Sequence, residues 1–213
     1  MMKKIEKSGL YNTNTFAHVT LKAIEEIVGK NGLDAILKMA GLDILINNFP
    51  PRNREKVFDF SNYSAINHAI REIYGSRGGR VLAVRAGRAT FDELLKSYGA
   101  MVGMTDLAMR LVPLKAKMSL GLNAMAKVFN SVSDQETSVE ERENEFVYKV
   151  HNCPACWGFE DAESPICFMQ VGLIKEGLNW LSNGKEFYVY EDTCHAMGAE
   201  DCTFIIQKNP MGE

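Results

Sequence analysis

All five cysteines of this 213-residue chain lie between positions 153 and 202, and five is an odd number. An odd set cannot close into a disulfide framework without leaving a thiol over. The N-terminus, MMKKIEKSGLYNTNTF, carries charge but has no apolar run behind it, so it does not read as a secretory signal. The expected compartment is cytoplasmic. There, thiols set among polar and glycine-rich turns point to metal binding or redox work. The fold must bring this last third of the chain together around its sulfur atoms.

Composition removes several classes. A 46% hydrophobic, 24% charged chain has enough apolar residues for a full core, so disorder is excluded. The net charge of -3 provides no basic excess, so no nucleic-acid partner is expected. No stretch of about 18 apolar residues occurs, so no transmembrane helix is expected. Neither a dinucleotide fingerprint nor a Ser-His-Asp spacing is present, which leaves a nicotinamide-dependent reductase unsupported.

The first third has helical periodicity. Asn14 or Thr15 can cap a helix running to about Gly29, with Phe16, Val19, Ala23, Ile24, Ile27 and Val28 as its apolar stripe. A short helix over 33–40 stops at Gly41, and the two-proline run 47–53 breaks the chain. Ser61 caps a further helix. The glycines at 75, 78 and 79 then read as a turn into a strand over 80–85. Residues 90–132 read as two apolar helices broken near Pro113, rich in methionine and glycine. Met101, Met104 and Met118 are candidates for a soft wall around an apolar ligand, as well as for plain core.

The acidic run 133–144 reads as a solvated connector. After it come a strand over 145–151, a helix over 167–181 with Val171, Ile174 and Leu178 on its apolar stripe, and strands over 187–190 and 203–206. The class is α+β, a small antiparallel sheet packed with helices. The acidic run is also the best candidate subdomain boundary on composition alone.

Two donor sets compete for a metal. Cys153-x-x-Cys156 with Cys194 and Cys202 would make a zinc knuckle, although the last gap is wide for one. Cys167, Glu191, Cys194 and Cys202 would join a helix start to a hairpin end. In that case Cys153 and Cys156 are left as a redox pair, auxiliary thiols or core. His151 and His195 read as hydrogen-bond partners beside the cysteines rather than as ligands.

The run Pro165-Ile-Cys167-Phe-Met-Gln-Val-Gly172, then Gly177, Gly184, Glu191-Asp-Thr-Cys194-His-Ala-Met-Gly198 and Asp201-Cys202-Thr-Phe204, resembles the 4-vinyl-reductase domain family. The motif match spans roughly 146–206, with a looser helical likeness upstream to about Phe58, which implies an N-terminal helical segment over 1–57 and a ligand-binding domain over 58–209 with a metal-clipped C-terminal hairpin. The family includes sensor domains of aromatic-responsive bacterial regulators, stand-alone proteins, and a protein linked to bacteriochlorophyll synthesis. The resemblance implies zinc on Cys167, Glu191, Cys194 and Cys202, an apolar pocket beside it, a homodimer, and a fold akin to a subunit type of vesicle-tethering complexes. It implies a sensor or binding protein for a small hydrophobic ligand. A tetrapyrrole enzyme or accessory factor and an interaction scaffold are the alternatives. No ATPase or DNA-binding segment accompanies the motif, so the expectation is not a complete regulator.

Overall fold

The computed structural model describes residues 5–98 and 112–212. Strand β1 (Tyr11–Thr13) leads into helix α1 (Asn14–Met39), and β2 (Lys56–Asp59) leads into α2 (Phe60–Tyr98). Helix α3 (Leu114–Val132) precedes β3 (Glu136–Glu141) and β4 (Glu145–His151). Helix α4 (Phe168–Leu181), β5 (Phe187–Thr193) and β6 (Cys202–Pro210) complete the chain. β1 and β2 pair with each other, and the other four strands form one antiparallel sheet in the order β3-β4-β6-β5. This is the α+β arrangement of small antiparallel sheets against helices.

Thr13 caps α1, its hydroxyl accepting from the Phe16 N–H at 3.3 Å, one position ahead of the expected caps. Both long helices kink at a glycine, Gly29 at φ 75° and Gly75 at φ 71°, where only glycine turns the chain without strain. Asp59 ties down the N-terminal turn. Its carboxylate accepts from the N–H groups of Ser8, Gly9 and Ser61 and from the Ser8 hydroxyl. Burial pushes this carboxyl up, but the hydrogen bonds from Ser61 and Ser8 outweigh it and leave the group below its ordinary range.

Two expectations are corrected. Residues 80–85 are helical and belong to α2. The buried positions Leu82, Ala83, Ala86, Gly87, Thr90, Phe91 and Leu94 continue a helical spacing through and beyond them. A valine-bearing run of six therefore yields to the packing of a longer element. The acidic run is not a connector either, because β3 lies within it. Glu140 pairs with Lys149 at 3.1 Å and Glu141 with Lys208 at 2.8 Å, so charge decorates an edge strand. Charged side chains protect a sheet edge from pairing with other chains.

Helix α4 lies in the core, against α2. The two backbones meet at Gly87 and Gly172. A Cβ on Gly172 would sit 2.1 Å from the Val84 carbonyl oxygen, and one on Gly87 would sit 2.0 Å from that of Met169. Arg88 of α2 reaches across to Glu176 at 2.8 Å and to Glu186 ahead of β5. The start of α4, and with it Cys167, is thereby fixed relative to the sheet.

Candidate metal centre and adjacent cleft

β5 alternates Phe187, Val189 and Glu191 inward with Tyr188 and Tyr190 outward. The period of two thus carries a carboxylate into the core, where Glu191 is 7% exposed. On β6, the same rule turns Cys202, Phe204 and Ile206 inward. Cys194 follows β5 and opens a tight turn closed by Gly198 at φ 88°. Cys167 stands at the N-terminal end of α4. After β4, Asn152 at φ 53° reverses the chain so that Cys153 and Cys156 fold back onto the sheet end. All five cysteines are buried and none is in a disulfide.

The structure brings all the sulfur candidates together. Sγ separations are 3.8 Å for Cys167–Cys194 and for Cys167–Cys202, and 3.9 Å for Cys194–Cys202. They are 3.7 Å for Cys153–Cys167 and 3.4 Å for Cys156–Cys202. A zinc–sulfur bond of about 2.3 Å in a tetrahedron gives sulfur–sulfur edges of about 3.8 Å. A disulfide needs about 2.05 Å. The spacing is too long for disulfides and matches both thiols in contact and sulfurs around a metal.

Glu191 fits the same purpose. One oxygen, Oε2, accepts from the Cys167 N–H at 2.7 Å, while the other, Oε1, is buried with no hydrogen-bond partner. Burial, and then the neighbouring charges of Cys194, Cys202 and Cys153, push this carboxyl up to about 10. Burial likewise pushes the Cys167 thiol up. Cys202 is pushed up by Cys153 but pulled down by Cys156, Cys167 and Cys194, to about 6. A site that resists several anions at once is one in which a cation reverses the balance. Cys167, Glu191, Cys194 and Cys202 have donor atoms all within 4.8 Å of one another, and so do Cys153, Cys156, Cys167 and Cys202. The cysteine cluster can therefore hold a metal. The knuckle set pairing Cys153 and Cys156 with Cys194 and Cys202 is not one of these two groups. Neither His151, paired with Asp201 at 2.9 Å, nor His195, facing the Ala199 carbonyl at 3.1 Å, belongs to either. The backbone N–H of His195 instead donates to the Cys202 sulfur at 3.3 Å.

A cleft of about 430 Å³ has Glu191 in its lining. Its apolar surface comes from Val81 and Val84 of α2, Phe168 and Val171 of α4, and Tyr188, Val189 and Tyr190 of β5. Arg80, Arg85 and Lys175 add positive charge, and Glu191 closes the lining. Arg80 stacks over the Phe168 ring at 4.8 Å. Among the described residues, none of the three cations has a carboxylate within ion-pair distance. Burial, then Arg88 and Arg80, lowers the basicity of Lys175.

Of the expected pocket residues, Val171 lines this cleft, whereas Ile174, Leu178 and Met118 are packed in the core. Met101 and Met104 lie outside the described residues. Sequence reasoning missed Arg80, Arg85, Lys175 and the outward tyrosines. In a strand, 80 and 85 fall on opposite faces. In a helix, 80, 81, 84 and 85 share one.

Residues 146–208 match the family model of the 4-vinyl reductase domain and cover β4 through β6 with both metal-donor groups. Solved structures of H-NOX proteins extend the likeness to nearly the whole chain. A Tt H-NOX double variant superposes with a TM-score of 0.60 at 14% identity, covering 94% of this chain and 97% of that one. A structure from work on heme distortion in the H-NOX family gives 0.60 at 13% identity, covering 94% and 97%. The Fe(II) unliganded H-NOX protein from K. algicida gives 0.56 at 14% identity, covering 92% and 96%. At these identities the likeness is one of fold. No curated protein matches the chain in sequence. No helix among the described residues is long and apolar enough to cross a membrane.

Proposed function

We propose that the protein is a binding or sensor protein for a small, largely hydrophobic ligand, with zinc on Cys167, Glu191, Cys194 and Cys202. The observation that carries this reading is the shared position of Glu191. It lines the cleft, has one buried oxygen without a partner, and brings a carboxylate oxygen within 4.8 Å of the Cys167, Cys194 and Cys202 sulfurs. A ligand that fills the cleft presses on the start of α4 and on β5, the two elements that carry Cys167 and Glu191. Four protein donors complete a tetrahedral zinc shell, so the metal is structural and clips hairpin to helix. Three thiolates and one carboxylate around a divalent ion leave a formal charge of about -2.

The lining of the cleft describes the ligand. An apolar body suits Val81, Val84, Phe168 and Val171, and an anionic or strongly accepting group suits Arg80, Arg85 and Lys175. Anilinonaphthalene sulfonate has both parts and serves as the probe. It should bind with enhanced fluorescence and be displaced by aryl carboxylates or fatty acids. Val84→Trp, which fills the cleft, should abolish binding while leaving the fold intact. Equal binding by that variant would refute the assignment.

A homodimer and a cytoplasmic setting belong to the same reading. The H-NOX likeness, including the structure concerned with heme distortion, favours a tetrapyrrole as the second choice of ligand. Incubation with heme would then give a saturable porphyrin absorbance band, which the small-ligand reading does not expect.

A further inference from the structure

Two donor sets converge on one pair of sulfurs. Cys153, Cys156, Cys167 and Cys202 form the first, and Cys167, Glu191, Cys194 and Cys202 the second. Their common members, Cys167 and Cys202, are 3.8 Å apart. Two tetrahedra with two corners in common share an edge. We propose that the interior binds two divalent ions of the zinc class, with Cys167 and Cys202 bridging them. Cys153 and Cys156 complete the shell of one ion, and Cys194 and Glu191 complete that of the other. The inference rests on the four-donor zinc site proposed above and adds a second metal position to it.

Donor accounting supports the pair. A single tetrahedral ion on the second set leaves Cys153 and Cys156 without a role in a dry interior, although they are 3% and 0% exposed. Their sulfurs then have other sulfurs, the Cys153 carbonyl at 4.0 Å from the Cys156 sulfur, and the Ala155 backbone beside Cys153 as polar neighbours, and no metal. With two ions, each of the six donors is used, and each ion has four. The separations agree with this. Every bridging-to-terminal sulfur distance given above, from 3.4 to 3.9 Å, lies near a zinc–sulfur tetrahedral edge of about 3.8 Å.

Charge permits the second ion. One ion on the second set leaves about -2 with Cys153 and Cys156 as neutral thiols, and a second ion brings two positive charges against the two thiolates it creates. Two ions leave about -2, the residual charge of one ion with four anionic donors. Buried charge is costly unless it is matched in this way. Thiolate donors select zinc-like ions over magnesium or calcium.

The loop carrying the extra pair is held in place. The Phe159 N–H donates to the Cys156 carbonyl at 3.1 Å, and the Ala162 N–H donates to the carbonyl of Ala196, in the turn after Cys194, at 2.9 Å. The Ser64 hydroxyl donates to the Trp157 carbonyl at 2.7 Å, which anchors the loop on α2.

The test is metal stoichiometry on the full chain, purified anaerobically and loaded with zinc. Native mass spectrometry should find two ions per chain. Reloading with cadmium-113 should give two metal resonances in the sulfur-rich range. The double variant Cys153→Ser, Cys156→Ser should keep one ion and one resonance. One ion and one resonance in the wild type would overturn the two-metal centre and leave the four-donor site standing. No bound metal would overturn both. Two ions retained by the double variant would also overturn it. If that variant does not fold, the wild-type count and spectrum decide alone.

Discussion

The sulfur cluster and the cleft meet at Glu191 and are built on opposite terms. The cluster is closed and dry, and its donors are set by regular structure: two inward positions on strands, a helix start and two tight turns. The cleft is open, mixes valine and tyrosine with cations, and takes its shape from α2, α4 and β5. A metal site needs a few atoms placed to within tenths of an ångström. A ligand cleft needs only volume and a charge pattern. Change in the cluster should therefore cost the fold, whereas change in the cleft should cost only the ligand.

The largest expected effect comes from the crossing that supports both regions. Gly172→Ala places a methyl against the Val84 carbonyl oxygen, a backbone atom that cannot turn aside. The cost should be about 3 kcal/mol or more, with loss of metal and probe binding together. A thermal melt that coincides with that of the wild type would show that the helices can part there without penalty.

Cys194→Ala comes next. It should reduce metal content and destabilise the protein by roughly 2 kcal/mol or more, since metal affinity is folding free energy. Metal content that does not change in elemental analysis would remove Cys194 from the site.

Asp59→Asn should affect neither region specifically, and so serves as a control. It removes a buried charge that accepts four hydrogen bonds, at a cost of about 2 kcal/mol at neutral pH, with metal and probe binding kept in the folded protein. The sign follows from the lowered pKa of Asp59. The stabilisation is complete above the ordinary aspartate value of 3.8 and is lost as pH falls through the lower folded-state value. Urea titrations at neutral pH and in acid below that value should show the difference between wild type and variant shrinking. A difference that grows toward acid would contradict the assignment.

The smallest effect on the fold should come from the cleft itself. Arg85→Glu and Lys175→Glu should each weaken anilinonaphthalene sulfonate binding about tenfold, or ~1.4 kcal/mol, with stability and metal content unchanged. Equal weakening of an uncharged naphthalene probe would show that the cations act on packing rather than on the anionic group.

The same contrast decides what the sequence reveals. The cluster is legible because its parts follow short-range rules. Glu191 at a strand end, Cys167 at a helix start and Cys202 at the head of the next strand follow from local pattern, and the family resemblance groups them with Cys194 as donors. The helical stripe of α4 and the strand over 145–151 are legible for the same reason. The convergence of Cys153 and Cys156 on the other thiols is not. It depends on a loop reversal at Asn152, a residue with no sequence signature for positive φ beyond its type. The cleft is hidden more deeply. Its cations Arg80 and Arg85 lie in a valine-bearing segment that looks like a strand until the glycine crossing and the buried positions on either side make it helix. The edge strand over 136–141 is hidden by the glutamates that protect it.

The most direct test of the central claim is X-ray absorption at the zinc edge of the untagged protein. The account expects zinc with a shell dominated by sulfur near about 2.3 Å and a minor oxygen contribution near about 2.0 Å. Absence of zinc, or a shell of nitrogen and oxygen alone, would contradict it.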